Sequence, residues 1–89
     1  AATVQPSAGA LQRGNYYIQV AAYRSESTTR EAIAVLDRAG YVTVIEIIAD
    51  KKGQIWRVYI GPLSRDESGV ALVRVRSLGY KDAFLKKGT

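Results

Sequence analysis

The sequence contains neither cysteine nor histidine. Without cysteine, the chain has no disulfide framework, thiolate nucleophile or cysteine metal site. Without histidine, it lacks the commonest general base and metal ligand, and every Ser-His or Cys-His arrangement. Its acidic residues form no pair with a convincing shared pocket, which argues against a carboxylate-dyad hydrolase. We therefore expect a non-catalytic domain with no catalytic residues, no metal site and no cofactor.

Long apolar runs are also missing. No stretch approaches the roughly 20 consecutive apolar residues of a membrane span, and the N-terminus has no signal-peptide pattern. We therefore expect no membrane contact by the domain itself. Because the chain opens on Ala1, it resembles a piece cut from a longer protein, with any anchor or targeting signal lying upstream.

The charge balance is basic, with a net charge of +5 over 89 residues. Such a charge favours an anionic partner, such as nucleic acid, an acidic glycan or lipid headgroups. The basic residues are scattered rather than clustered, so solubility alone explains the charge equally well. The length fits one domain with a modest core and is too short for a deep catalytic cleft.

The first 14 residues differ in composition from the rest. Residues 1–14 mix small residues, proline and glycine without helical or strand periodicity, which predicts a flexible linker. From residue 15 onward, "YYIQVAAY", "YVTVIEII", "IWRVYIG" and "DAFLKK" are strand-like, and a polar turn joins the middle two as a hairpin. The predicted folded domain is residues 15–89.

Two helices are predicted from capping signals and apolar spacing. Ser27 and Thr28 are candidate N-caps of the first helix, and Glu31 would complete a capping box with Thr28. The second helix begins with a clearer capping box, formed by Ser64 and Glu67. A Gly-Tyr pair follows each helix, which is typical of a helix end.

The order of these elements is β-α-β-β-α-β. Residues 17–21 and 57–61 form a weak internal repeat, so each half of the domain is one β-α-β unit. Two such halves fold most simply as an α+β, ferredoxin-like domain, in which a four-stranded antiparallel sheet carries both helices on one face. The first and third predicted strands would then be central neighbours.

The opposite face of this sheet is predicted to be uncovered. If Val58 and Ile60 point toward the helices, alternate residues of the same strand must point away from them. Trp56 shares the parity of Val58 and is predicted to lie in the core or at its edge. The side chains expected on the uncovered face are Tyr17, Gln19, Arg57, Tyr59 and Phe84.

This combination of side chains suits a planar or ring-shaped polar ligand. Sugar rings stack their C–H faces on aromatic rings, the amide of Gln19 can donate and accept, and Arg57 offers a fork that suits a carboxylate. Nucleobases would also stack there, and sheets of the same element order read single-stranded RNA. A purely structural interpretation is that Arg57 pairs with Glu46 across the hairpin. The residues alone leave these alternatives open.

The segments "YYIQVAAY", "LDRAGY", "WRVYIGPLSRDES" and "RSLGY", followed by a short strand, resemble the SPOR domain over about residues 15–87. This bacterial module binds peptidoglycan. The resemblance implies a partner: glycan strands stripped of their stem peptides, which accumulate at the division septum. It also implies a location in the cell envelope, in the periplasm or extracytoplasmic wall, within a host protein that carries a membrane anchor or a wall hydrolase. We expect the domain to be monomeric.

The resemblance also suggests site residues. The family's binding glutamine, arginine and bulky last-strand residue are matched by Gln19, Arg57 and Phe84. The usual Gly-Ser is replaced by Ala21-Ala22, and the hydroxyl of Tyr23 is a candidate substitute for the serine. The complete predicted glycan-binding set is Tyr17, Gln19, Tyr23, Arg57, Tyr59 and Phe84.

The alternative functions rank below glycan binding. A stripped glycan strand keeps the lactyl carboxylates of its muramic acid residues, which suits a basic domain. RNA binding is the second hypothesis, because "IWRVYIGP" lacks the third-strand signature of RNA-binding sheets, and no nucleic-acid partner is expected. A small-molecule regulatory module of the same topology is third.

Overall fold

The computed structural model describes residues 2–5 and 14–87, in which it places five strands and two helices. Along the chain, strands and helices follow one another in the order predicted from the sequence, and one additional strand precedes them at the N-terminus. The elements are β1 (Ala2–Gln5), β2 (Tyr16–Tyr23), α1 (Glu26–Arg38), β3 (Thr43–Asp50), β4 (Gly53–Leu63), α2 (Arg65–Ser77) and β5 (Phe84–Lys87).

The strands form one sheet in the order β1-β3-β4-β2-β5. β2 pairs antiparallel with both β4 and β5, and β3 pairs antiparallel with β4. β2 and β4 are therefore central neighbours, as predicted. The β-α-β-β-α-β order and the ferredoxin-like α+β class are confirmed.

β1 was not predicted from the sequence. It pairs in parallel with β3, with Ala2 opposite Thr43 and Gln5 opposite Glu46. The expectation that residues 1–14 lack regular structure is therefore wrong for residues 2–5, and most of that segment lies outside the described residues. The cause is tertiary: the free edge of β3 offers unpaired N–H and C=O groups to any extended segment nearby. The domain boundary at residue 15 stays a prediction.

The main core lies between the sheet and both helices. Leu36 of α1 and Ala71 and Val75 of α2 pack in one cluster with the sheet residues that face them. Trp56 is half-buried and packs against this cluster, in agreement with its predicted place at the core edge. The buried members contributed by the strands and the loop before β5 are Ile18, Val20, Ile45, Val58, Ile60 and Ala83.

The two capping predictions had opposite outcomes. In α2, the Glu67 amide donates to Ser64 Oγ at 3.1 Å and the Ser64 amide donates to Glu67 Oε1 at 2.9 Å, which confirms the capping box. In α1, the predicted Thr28 box is wrong because the helix begins earlier. Ser25 is the N-cap, and its side chain accepts from the Thr28 amide at 3.5 Å. Serine and threonine recur through this segment, so local preference could not decide which residue caps the helix.

A bulge in β2 changes which side chains share a face. Gln19 lies opposite Tyr59, whereas Ala21 lies opposite Val58, so β2 contains one residue more than β4 at this point. An extra residue of this kind reverses the alternation beyond it. Ala22 therefore lies opposite Arg57, and Tyr23 packs against the main core on the helix side.

Candidate functional site

The uncovered face of the sheet carries four accessible side chains near the bulge. β5 places Phe84 directly opposite Gln19, and β4 places Arg57 opposite Ala22. Phe84 is 47% exposed, Ala22 is exposed, and Gln19 and Arg57 are partly exposed. We call this group, Gln19, Ala22, Arg57 and Phe84, the open-face patch. Three of its members belong to the predicted glycan-binding set.

Tyr17 and Tyr59 lie on the same face but are buried. Their side chains are 1% and 0% exposed, and with Val44 they form a second, smaller apolar cluster. The Tyr17 ring packs so closely on Gly61 that a Cβ there would lie 2.7 Å from Tyr17 Cδ1. The prediction that both rings offer an exposed stacking surface is therefore wrong. Sequence parity gave the correct face for each ring but could not give its exposure.

Arg57 has a buried acidic partner. Its Nη1 donates to Glu46 Oε1 at 3.3 Å, and the Tyr59 hydroxyl donates to the same oxygen, also at 3.3 Å. Glu46 is only 4% exposed, and a buried carboxylate requires such partners. The predicted pairing of Arg57 with Glu46 across the hairpin is thus confirmed. However, the Arg57 side chain is 36% exposed and a guanidinium has five N–H donors, so ligand binding and the ion pair are compatible.

Lys86 adds a second cation to this face, and the sequence analysis did not select it. Its Nζ lies 5.5 Å from the centre of the Tyr59 ring and donates to the Tyr59 hydroxyl at 3.4 Å. Its position two residues after Phe84 was the available signal, because alternate strand residues share a face. With Arg57 and Glu46, it gives the cluster two positive charges and one negative charge.

A cleft of about 380 Å³ adjoins the open-face patch where β2 ends and β5 begins. Gln19, Ala22 and Phe84 line it together with Tyr23, so the cleft brings Tyr23 near the patch although its side chain packs on the helix side. Sequence analysis missed three other residues of this wall, although the Gly-Tyr helix end marked their location. They are Tyr80, Lys81 and Asp82.

The two tyrosines of this cleft keep their hydroxyl protons at neutral pH. Burial raises the pKa of Tyr23 above its ordinary value, and the nearby Tyr80 and Glu31 raise it further. Burial also raises the pKa of Tyr80. Both hydroxyl groups can therefore donate hydrogen bonds, as recognition of sugar oxygens requires.

A larger cavity of about 550 Å³ lies between α2, the loop before β3 and the end of β4, and none of the predicted site residues lines it. Its walls include apolar side chains such as Val42 and Val70, with two carboxylates, Asp66 and Glu67, and the guanidinium of Arg74. Hydrogen bonds within the capping box lower the pKa of Glu67, so this carboxylate is charged at neutral pH. The charged side chains of this cavity therefore carry a net negative charge, which would repel an anionic polymer. Although this cavity is larger than the cleft beside the open-face patch, it is the poorer candidate for a glycan-binding site.

Neither helix of the described part of the chain is both long enough and apolar enough to cross a membrane. Within residues 2–5 and 14–87, no group of three or more acidic side chains is arranged to hold a metal ion.

Comparison with known proteins gives one family. The model of the SPOR domain matches residues 12–87, which is most of the chain. No curated protein and no solved structure matches this chain. SPOR domains are non-catalytic, peptidoglycan-binding modules of division proteins, found in periplasmic or envelope-associated bacterial proteins. With the ferredoxin-like fold already described, this match shows that the chain belongs to the SPOR domain family.

Proposed function

We propose that this domain binds peptidoglycan glycan strands that lack stem peptides and thereby directs its host protein to the division septum or to other sites of wall remodelling. The observation that supports this most is the direct pairing of Phe84 with Gln19 on the uncovered face. It sets an accessible aromatic ring beside an amide, the combination that a sugar ring with polar substituents requires. The domain acts in the cell envelope, as a monomer, without chemistry of its own.

Each member of the open-face patch has a distinct role in this proposal. The ring of Phe84 stacks on the C–H face of a sugar. The Gln19 amide exchanges hydrogen bonds with hydroxyl or acetamido groups, and the free donors of Arg57 bind a lactyl carboxylate. A stem peptide is attached through that carboxylate, so its removal exposes the charge that Arg57 recognises.

The burial of Tyr17 and Tyr59 argues against the RNA alternative. Sheets that read single-stranded RNA stack successive bases on exposed aromatic side chains of their central strands. Here the two aromatic residues at those positions are almost fully buried, and of the three predicted stacking rings only Phe84 remains largely exposed. One ring can support a single sugar, but it is a poor platform for a run of bases.

The decisive test is sedimentation of the domain with whole sacculi, before and after treatment with a cell-wall amidase. We expect more domain to sediment with treated sacculi, since the enzyme removes stem peptides from the glycan. Equal or weaker sedimentation with treated material would overturn the proposal. Salt-resistant, sequence-selective binding to single-stranded RNA would favour the alternative instead.

Two neighbouring residues of β5 provide a matched pair of variants for locating the site. Phe84 and Leu85 are 47% and 45% exposed, but they lie on opposite faces of the sheet. Phe84→Ala should reduce sedimentation with treated sacculi, whereas Leu85→Ala should not. If both variants bind equally, or Leu85→Ala is the weaker, the open face is not the binding surface.

A further inference from the structure

Glu46 occupies an unusual position for an acidic residue in a domain that binds an anionic polymer. It is 4% exposed, lies on the face of the open-face patch, and accepts hydrogen bonds from Arg57 and Tyr59 at 3.3 Å each. A buried carboxylate is expensive to desolvate, and apolar replacements are often at least as stable. Stability alone therefore gives a weak reason for a glutamate here.

We propose that Glu46 is a specificity-determining residue that limits the affinity of the site for highly charged polymers. This inference rests on the proposed glycan-binding function of the same face. Glu46 acts as a positioning residue through Arg57: it orients the guanidinium and offsets its charge. The patch then recognises a ligand through hydrogen bonds and stacking, with little net attraction for negative charge as such.

The charges on this face give the physical reason. Arg57 and the Tyr59 hydroxyl both donate to Glu46, and the Lys86 ammonium lies 5.5 Å from the centre of the Tyr59 ring. Arg57, Lys86 and Glu46 together carry a net charge of +1, and without the negative charge of Glu46 the two cations would carry +2. Specificity is a difference between affinities, and a residue that weakens binding of competitors increases it.

A single-stranded nucleic acid carries one phosphate per nucleotide, and its affinity rises with each charge that a protein neutralises. A stripped glycan carries only one carboxylate per disaccharide. A second uncompensated cation would therefore favour the nucleic acid, or any comparably dense polyanion, more than the glycan. Glu46 reduces this competition without a repulsive group on the surface, because its charge is buried beneath the arginine.

Glu46→Gln tests this directly, with Glu31→Gln as the matched control. Both variants change glutamate to glutamine and raise the net charge by one, but Glu31 is exposed on α1, on the other side of the sheet. Binding of a single-stranded oligouridylate is measured by fluorescence anisotropy over a range of salt concentrations. Binding to amidase-treated sacculi is measured in parallel, and melting temperature reports folding.

We expect Glu46→Gln to increase the ratio of oligouridylate affinity to glycan affinity several-fold at low salt. The plot of log affinity against log salt should steepen by about 0.7, the value for one more phosphate neutralised on a single strand. Glu31→Gln should produce a smaller change in both quantities. Adding Arg57→Gln to Glu46→Gln should abolish the gain, because Arg57 transmits the effect.

Three results would overturn the inference: no difference between the two glutamine variants, a gain that persists without Arg57, or a Glu46→Gln domain that folds but shows no gain. If Glu46→Gln does not fold, the single variant Arg57→Gln decides. In the wild type Glu46 already offsets the charge of Arg57, so the loss of Arg57 should lower the salt slope by well under about 0.7, the value for one phosphate. A fall by the full value for one phosphate would overturn the inference. Failure of the wild-type domain to prefer treated sacculi would instead refute the proposed function, whatever the oligouridylate results.

Discussion

Gly61 and Gly69 should respond in opposite directions to the same substitution by alanine. Gly61 lies in β4 with φ at 138°, a conformation that side chains rarely adopt. A Cβ at this position would lie 2.7 Å from Tyr17 Cδ1 and 3.0 Å from the Tyr16 carbonyl oxygen. Gly69 lies within α2 and is exposed, and a Cβ there would meet nothing within 4 Å beyond the backbone of its own helix.

The expected magnitudes follow from these environments. Gly61→Ala incurs backbone strain of about 1–3 kcal/mol and overpacking against Tyr17 of similar size, so the free energy of unfolding should fall by about 2–6 kcal/mol. Gly69→Ala should raise it by up to about 1 kcal/mol, because alanine favours a helix interior. A domain of this size has a total stability of roughly 4–13 kcal/mol, so Gly61→Ala could leave little of it.

Thermal unfolding followed by circular dichroism measures both effects. Each kcal/mol corresponds to a shift of about 4–8 °C in Tm for a domain of this length. Gly61→Ala should therefore lower Tm by at least about 8 °C, and Gly69→Ala should raise it by several degrees. A Gly61→Ala domain with the wild-type Tm would refute the close packing of Tyr17 on β4, and with it the buried tyrosine cluster beneath the open-face patch.

Further substitutions test the core edge, a helix cap and the end of β2. Trp56→Ala should destabilise the domain by about 3 kcal/mol through a cavity at the core edge, measured by denaturant titration; a loss under about 0.5 kcal/mol would place the ring outside the core. Ser64→Ala should cost about 1 kcal/mol through loss of the cap. Because the capping box holds the pKa of Glu67 below its usual 4.5, that carboxylate stabilises the fold above this pH and loses its effect as pH falls through the lowered pKa. Glu67→Gln removes this titrating carboxylate and should therefore flatten the fall in Tm below pH 4.5, and an unchanged acid limb would contradict the assignment. Ala22→Ser, which restores the family's hydroxyl on the open face, should tighten binding to treated sacculi by up to about 1 kcal/mol; if only Tyr23→Phe changes binding, the tyrosine hydroxyl makes that contact instead.

Much of the architecture could be predicted because its signals are local. Alternation in β2 and β4 predicted both strands, and the Ser64 capping box predicted the start of α2. Parity also assigned Arg57 and Phe84 to one face and Val58 to the other, as the pairing confirms. The family resemblance was visible in the same segments, since its motifs combine strand ends with helix ends.

Parity failed where pairing between strands added a constraint. The bulge at Val20 depends on the register in which β2 pairs with β4, and the sequence of β2 contains no residue that predicts it. A strict alternation would give Tyr23 the side of Gln19, yet Tyr23 packs against the main core and Ala22 takes the place beside Arg57. A shift of one residue reverses the side chains that follow it in the strand, so this bulge took Tyr23 off the open face and placed Ala22 there.

The sequence by itself determined the order of the six elements from β2 to β5 and the absence of cysteine and histidine chemistry. It also assigned Arg57, Tyr59 and Phe84 to one face of the sheet. The tertiary structure alone decided which members of the uncovered face are accessible. Tyr17 and Tyr59 are buried while Phe84 is exposed, although alternation treats the three alike. Alternation fixes the direction of a side chain through local backbone geometry, whereas exposure depends on what else packs around it, which is set by residues distant in the chain.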